Sequence, residues 1–115
     1  MLQRILDALP AYRYQVRNEL KTQAGIAQVL GQNAIAFERE RIELADRFDF
    51  FVDGIVIEVK RAGSFAEALR QAERYCQSRI VTAVVLASTK SWPPGLAATF
   101  NQKPVHVVRL PGLGL

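Results

Sequence analysis

The chain has 115 residues, half of them hydrophobic, which suits one domain of ordinary size with a packed core. Its formal net charge of +4 is compatible with a polyanionic partner without demanding one. A single cysteine, Cys76, excludes an internal disulfide and, with a single histidine, a Cys/His zinc cluster; the longest apolar run, Ile80 to Ala87, is too short to span a bilayer. Met1 to Pro10 carries Arg4 and Asp7 among its apolar residues and shows no signal-peptide pattern, so a reducing, cytoplasmic setting without membrane is expected.

Leu2, Ile5, Leu6 and Leu9 recur at helical spacing, and Pro10 ends the segment, giving a short N-terminal helix over residues 1–10 for packing or for a dimer contact. Gln15 to Gln32 reads as the first long helix, closed by Gly31 and Asn33. Val16, Leu20, Ala27 and Leu30 form its stripe, with Glu19, Gln23 and Ile26 along the edge, so Glu19 borders the buried face; the alternative is a solvated helix charge. Ala34 to Arg41 follows as a strand with Ile35 and Phe37 inward, and the charged run Glu38 to Arg41 reads as a solvated edge. Glu43 to Asp46 is the next turn.

The most informative stretch runs from Arg47 to Lys60. Asp53-Gly54 is a two-residue turn signal between runs rich in Phe, Val and Ile, which predicts a hairpin. The register then pairs Val52 with Ile55, Phe51 with Val56, Phe50 with Ile57 and Asp49 with Glu58. Alternation puts Asp49, Glu58 and Lys60 on one face, and Phe48, Phe50, Val52, Ile55, Ile57 and Val59 on the other. Two adjacent acids on a sheet repel, so a cation must stabilise them. Lys60 is one such cation, and a divalent metal is a second, because hard Mg²⁺ favours carboxylate oxygens and keeps several waters.

Ser64 to Glu67 is a capping box opening a second helix that runs to about Gln77, with Phe65, Leu69, Ala72 and Cys76 apolar. Gln71 and Tyr75 lie one turn apart, with a core Tyr75 and a surface Gln71 as the alternative to a site role; Arg70 and Arg74 are one turn apart too, with Arg61 nearby. These arginines are candidate phosphate ligands or solvated charges. Ile80 to Ser88 is nearly continuous in apolar residues, as a central strand covered on both faces would be, and strand-helix-strand order predicts a parallel pair. Cys76 is then a buried small hydrophobe. Pro94 opens a short helix through Leu96, Ala97 and Phe100. Trp92 reads as a lid over the core, with base stacking as the alternative, and Lys90 adds positive charge. Val105 to Leu110 is a last strand carrying His106 as an ordinary residue, and residues 111–115 form a tail.

Asp49, Glu58 and Lys60, spaced Asp-x8-Glu-x-Lys on a hairpin, resemble the active-site signature of the PD-(D/E)XK nuclease superfamily. Phe48 stands where the family name has Pro. The element order over residues 15–110 resembles that family's αβββαβ core, and Gln71-x-x-x-Tyr75 is similar to a motif of RecB-like and CRISPR-associated members. In detail the chain looks closest to the small Holliday-junction-resolvase-like and VRR-NUC-like branches. The resemblance implies a single α/β domain of the restriction-endonuclease-like fold, with a central mixed β-sheet flanked by helices. It further implies Mg²⁺ or Mn²⁺ held by Asp49, Glu58 and the main-chain carbonyl of Val59. Glu19 would complete the metal shell or orient a water, with Glu38 and Glu40 as poorer matches. Lys60 would orient or deprotonate the attacking water or stabilise developing charge, and Gln71 would position nucleophile or substrate. Arg61, Arg70, Arg74, Tyr75 and Lys90 would contact nucleic acid. The activity expected is metal-dependent cleavage of DNA, as an endonuclease on structured or branched substrates, by a homodimer or a subunit of a larger complex. The alternative from another class is a catalytically silent DNA-binding or assembly module with the same fold. A third is a generic α/β domain whose acids are surface residues.

Overall fold

The computed structural model describes residues 1–113. Helix α1 (Leu2–Ala8) runs into a 3₁₀ turn (Leu9–Ala11) and is followed by α2 (Glu19–Gln32). Strands β1 (Glu38–Glu43), β2 (Asp46–Val52) and β3 (Ile55–Lys60) come next, then α3 (Phe65–Tyr75), β4 (Ala83–Ser88), β5 (Gly95–Phe100) and β6 (Lys103–Arg109). The strands form one sheet in the order β1-β2-β3-β4-β6-β5. β1, β2 and β3 are antiparallel, β3, β4 and β6 run parallel, and β5 returns antiparallel to β6. The protein is therefore α/β, a six-stranded mixed sheet flanked by helices.

The β2–β3 hairpin sets the register of everything around it. Asp53 and Gly54 both have positive φ, 48° and 88°, as a type I′ turn requires. Val52 faces Ile55, Phe51 faces Val56 and Phe50 faces Ile57, as the sequence predicts. Each face of the sheet then receives its own helical layer. Ile5, Leu9, Ile26 and Leu30 of the N-terminal helical segments pack with Phe50, Val52, Ile57 and Val85. Ala68, Ala72 and Tyr75 of α3 pack with Phe48, Val56, Val84 and Leu86 on the opposite face. Covered on both sides, β4 is buried at every position, which is why it reads as an unbroken apolar run. Among the described residues no helix is long and apolar enough to cross a membrane.

Several expectations need correction. α2 starts at Glu19, not Gln15, because Asn18 takes the N-cap and its side chain accepts from the Lys21 N–H. Its buried face is Thr22, Ile26, Val29 and Leu30, so Ile26 is central, and Leu20 is 75% exposed. β1 starts at Glu38 after a positive-φ Ala34, although Ile35 and Phe37 still reach the core. β4 is shorter than its apolar run and starts at Ala83. The helix expected after Pro94 is strand β5, paired to β6 across an Asn101-Gln102 turn with φ of 52° and 63°. A six-residue segment on the sheet edge gains ladder bonds that a one-turn helix lacks. The described part of the tail, residues 111–113, is held by the Tyr14 segment. Its Gly112 bridges Tyr14, whose N–H donates to the Pro111 carbonyl at 2.8 Å. Gly114 and Leu115 lie outside the described residues. Ile5 and Leu9 of the N-terminal segment are fully buried in this chain's own core, the packing role of the two expected.

The hairpin turn provides the test of this register. A Cβ on Gly54 would stand 2.8 Å from Thr82 Oγ1 and 3.3 Å from the Ile80 carbonyl, at a φ that L-residues rarely adopt. Gly54→Ala is expected to lower unfolding free energy by about 1–3 kcal/mol in urea denaturation. An unchanged midpoint would contradict the turn geometry.

Candidate functional site

Beyond the Phe50–Ile57 pair, β2 and β3 no longer pair backbone to backbone, and side chains take over. The Val59 N–H donates to Asp49 Oδ2 at 2.8 Å, and the Asp49 N–H donates to Glu58 Oε2 at 3.3 Å. Each carboxylate is thus held by one oxygen against the opposite strand. This explains two departures from the expected hairpin. The Asp49–Glu58 pair is not a ladder pair, and Phe48 leaves the face of Phe50 to stack on Phe51 at 5.7 Å in the α3 layer.

Asp49 and Glu58 are only 7% and 6% exposed. Burial is the main reason that both carboxyls titrate above their ordinary values, since desolvation disfavours the charged form. Glu58 is pushed up to about 8, first by burial and then by the charge of Asp49. Backbone hydrogen bonds and Lys60 oppose the rise on both. Glu19 is exposed at the start of α2, yet its charge raises Asp49 further, so it stands within electrostatic reach of the pair. Arg47 acts on Asp49 in the opposite sense.

Lys60, half-buried at the end of β3, opens into a cleft of about 400 Å³. Gly63, Ser64, Arg70, Gln71 and Arg74 line it as well. Gln71 Oε1 is buried there with no hydrogen-bond partner, an acceptor that needs a donor. The capping box at the start of α3 fixes the wall. Glu67 N–H donates to Ser64 Oγ at 3.1 Å, and Ser64 N–H and Oγ both donate to Glu67 Oε1. Lys60 is the link: its charge acts on Asp49 and Glu58, and it lines the cleft with Gln71, while neither carboxylate lines that cleft and Glu19 acts on Asp49 from the edge.

The expected nucleic-acid residues divide. Arg70 lines the cleft and is exposed. Arg74 also lines it, and its Nε donates to Asp46 at 3.0 Å. Arg61 donates from Nε and Nη2 to the Val16 carbonyl at 3.0 and 2.8 Å, bracing the loop before α2. Lys90 sits just past β4, its N–H donating to Ser88 Oγ. Tyr75 is corrected. It is 2% exposed and packs edge-on to Phe48 at 4.9 Å, so it offers no face to a base. Its hydroxyl donates to the Arg47 carbonyl at 3.4 Å and opposes the rise of the Glu58 carboxyl, which makes it a floor of the site. Glu38 and Glu40 are exposed and pair with Arg41 and Arg47, the solvated edge expected. His106 is an ordinary strand residue opposite Val85.

Three contributors were not anticipated. Arg47 has a signal, its position two residues before Asp49. Ser64 has one in the capping box, which places it beside Lys60. The Val16 carbonyl has none, since a backbone acceptor leaves no mark on sequence.

The donor set fits a hard divalent cation. After the backbone bonds, each carboxylate keeps one oxygen free of backbone donors, and both are destabilised as neighbouring charges in a buried setting. Among the described residues no cluster of three His, Cys, Asp or Glu forms. The protein would thus supply two carboxylates, a set that suits an ion retaining several waters. No family model matches the chain, and no significant match is found among curated proteins or solved structures.

The raised Glu58 has a consequence in the metal-free protein. Between its ordinary 4.5 and about 8 the folded state binds a proton that the unfolded state has released. Stability therefore falls as pH rises through that window. Melts in EDTA from pH 5 to 9 are expected to show a falling Tm, with a shallower slope in Glu58→Gln. An equal slope in both proteins would contradict the assignment.

Proposed function

We propose that the chain is a metal-dependent nuclease that hydrolyses DNA phosphodiester bonds, acting as an endonuclease on structured or branched DNA. The observation that carries this reading is the buried Asp49–Glu58 pair, joined from two strands, with Lys60 beside it at the head of a basic cleft. It rests also on the resemblance of Asp49, Glu58 and Lys60 to the PD-(D/E)XK signature, with its restriction-endonuclease-like core.

In this reading Asp49 and Glu58 would hold Mg²⁺ or Mn²⁺, with the Val59 carbonyl as a third donor, and Glu19 would complete the shell or orient a water. When bound, such an ion would supply Lewis acidity toward a water and positive charge toward the phosphate. The residues do the rest. The backbone N–H groups of Val59 and Asp49 fix the carboxylates so that no reorganisation is needed when substrate arrives. Tyr75 seals the floor beneath Glu58 and keeps solvent from its inner side. The Lys60 ammonium orients the attacking water or stabilises charge on the phosphate. The free Gln71 Oε1 accepts a hydrogen bond from that water or from the substrate. Arg70 and Arg74 take flanking phosphates. A chain measuring 40 × 30 × 25 Å encloses little DNA, which favours work as a homodimer or within a larger complex.

The second reading, a silent DNA-binding or assembly module, is favoured by the lack of a third clustered ligand among the described residues. Cleavage of labelled single-stranded, duplex, flapped and four-way-junction DNA in Mg²⁺ and Mn²⁺ separates the two. Wild type is expected to cut, and Glu58→Gln and Lys60→Ala to lose on the order of a thousandfold in rate or more. Cutting that survives both substitutions would reject the site. Tight binding without cutting would favour the module.

A further inference from the structure

We infer that Trp92 and Phe65 form a stacking platform for an unpaired nucleobase beside the sheet end that carries Lys60, an inference that rests on the nucleic-acid reading above. Phe65 is the first residue of α3, directly after Ser64, which lines the cleft with Lys60. Trp92 follows β4, whose Ser88 lies beside Lys60 in the sheet and whose next residue, Thr89, donates its N–H to the Lys60 carbonyl at 3.0 Å. Neither ring lines the cleft itself; both stand where α3 begins and β4 ends, by the sheet end that carries Lys60. Their centroids are 5.2 Å apart at 38°. Each packs against the α3-side core and keeps part of its surface open to solvent. Pro93 and Pro94 stiffen the backbone behind Trp92, which lowers the entropy lost when a ligand lands on it.

Charge identifies the occupant. All 11 acidic residues lie at or before Glu73, and every charge from Arg74 onward is positive. The platform loop belongs to this acid-free part, with Lys90 two residues before Trp92. Arg109 lies beside Ser88 on the next strand, as Lys60 does on the other side. Adjacent strands stand about 4.8 Å apart, so Lys60 and Arg109 start roughly 10 Å from each other at one end of the sheet. Glu67, the acid in the cleft lining, is folded back onto Ser64. An aromatic pair flanked by cations is the arrangement that binds a single strand, bases on the rings and phosphates on the charges. A continuous duplex keeps its bases stacked on one another and cannot use the rings. The substrate at this platform is therefore an unpaired stretch, as at a flap, a branch point or a single strand.

Trp92 is the sole tryptophan, so fluorescence excited at the red edge, where the three tyrosines do not absorb, reports on the platform alone. The Glu58→Gln chain in Mg²⁺ is titrated with oligothymidylate and, separately, with a blunt DNA hairpin, while anisotropy of the labelled DNA measures binding. Saturable quenching by oligothymidylate is expected, with little by the hairpin. Trp92→Leu is expected to weaken oligothymidylate binding about tenfold, and Trp92→Tyr, which keeps a stacking face, much less. Binding that leaves the fluorescence unchanged would overturn the platform, as would equal quenching by the hairpin or full affinity in Trp92→Leu. Wild-type cleavage of the same DNAs keeps the two ideas apart. Cutting with a silent Trp92 removes the platform and leaves the nuclease, quenching without cutting does the reverse, and no binding to any DNA removes both.

Discussion

Where β2 and β3 stop pairing, two carboxylates take over hydrogen bonds that the backbone would otherwise make. Asp49 accepts from Val59 and Glu58 accepts from Asp49, so each acid is fixed by the strand it faces. The exchange happens inside an apolar sheet with a helical layer on each side. Two charges cannot sit there unaided, and the raised Glu58 shows which way the system relaxes without a cation, toward the protonated acid. The rest of the fold holds this arrangement in place. The type I′ turn sets the register, β4 buries the far side of β3, and α3 closes the floor with Tyr75.

What was legible in the sequence follows from how local each cause is. Asp53-Gly54 fixes its own turn, and the register of the next three pairs follows. The Ser64-Glu67 box fixes the start of α3, and the unbroken apolar run fixes a strand buried on both faces. Failures came where a distant partner decides. Leu96 to Phe100 has neutral local preferences, and only β6 makes it a strand. Leu20 fits a helical stripe on paper, but Asn18 starts the helix late and Thr22 turns inward to the Gln15 and Asn18 carbonyls. Tyr75 carries the same motif spacing whether it faces a ligand or a core, and the Phe48 ring decides for the core.

The polar elements of the site share one end of the sheet. Lys60, Ser88 and Arg109 lie side by side at the ends of three parallel strands, with the cleft and the aromatic pair next to them. In open parallel sheets, strand carboxyl ends are where ligands are held, because loops there diverge to opposite faces. Here the loops after β3 and β4 bring the cleft wall and Trp92 respectively. Arg61, bound to Val16, keeps the third loop, the one before α2, against the same end.

The central claim is that the Asp49–Glu58 pair is a cation site. The most direct measurement is proton release on Mn²⁺ binding at pH 7, from calorimetry in buffers of different ionisation enthalpy. A carboxyl raised to about 8 is mostly protonated at that pH and must lose its proton to bind metal. The account expects close to one proton released per Mn²⁺ bound, and none in Glu58→Gln. Absence of Mn²⁺ binding in the wild type, or the same release in both proteins, would contradict it.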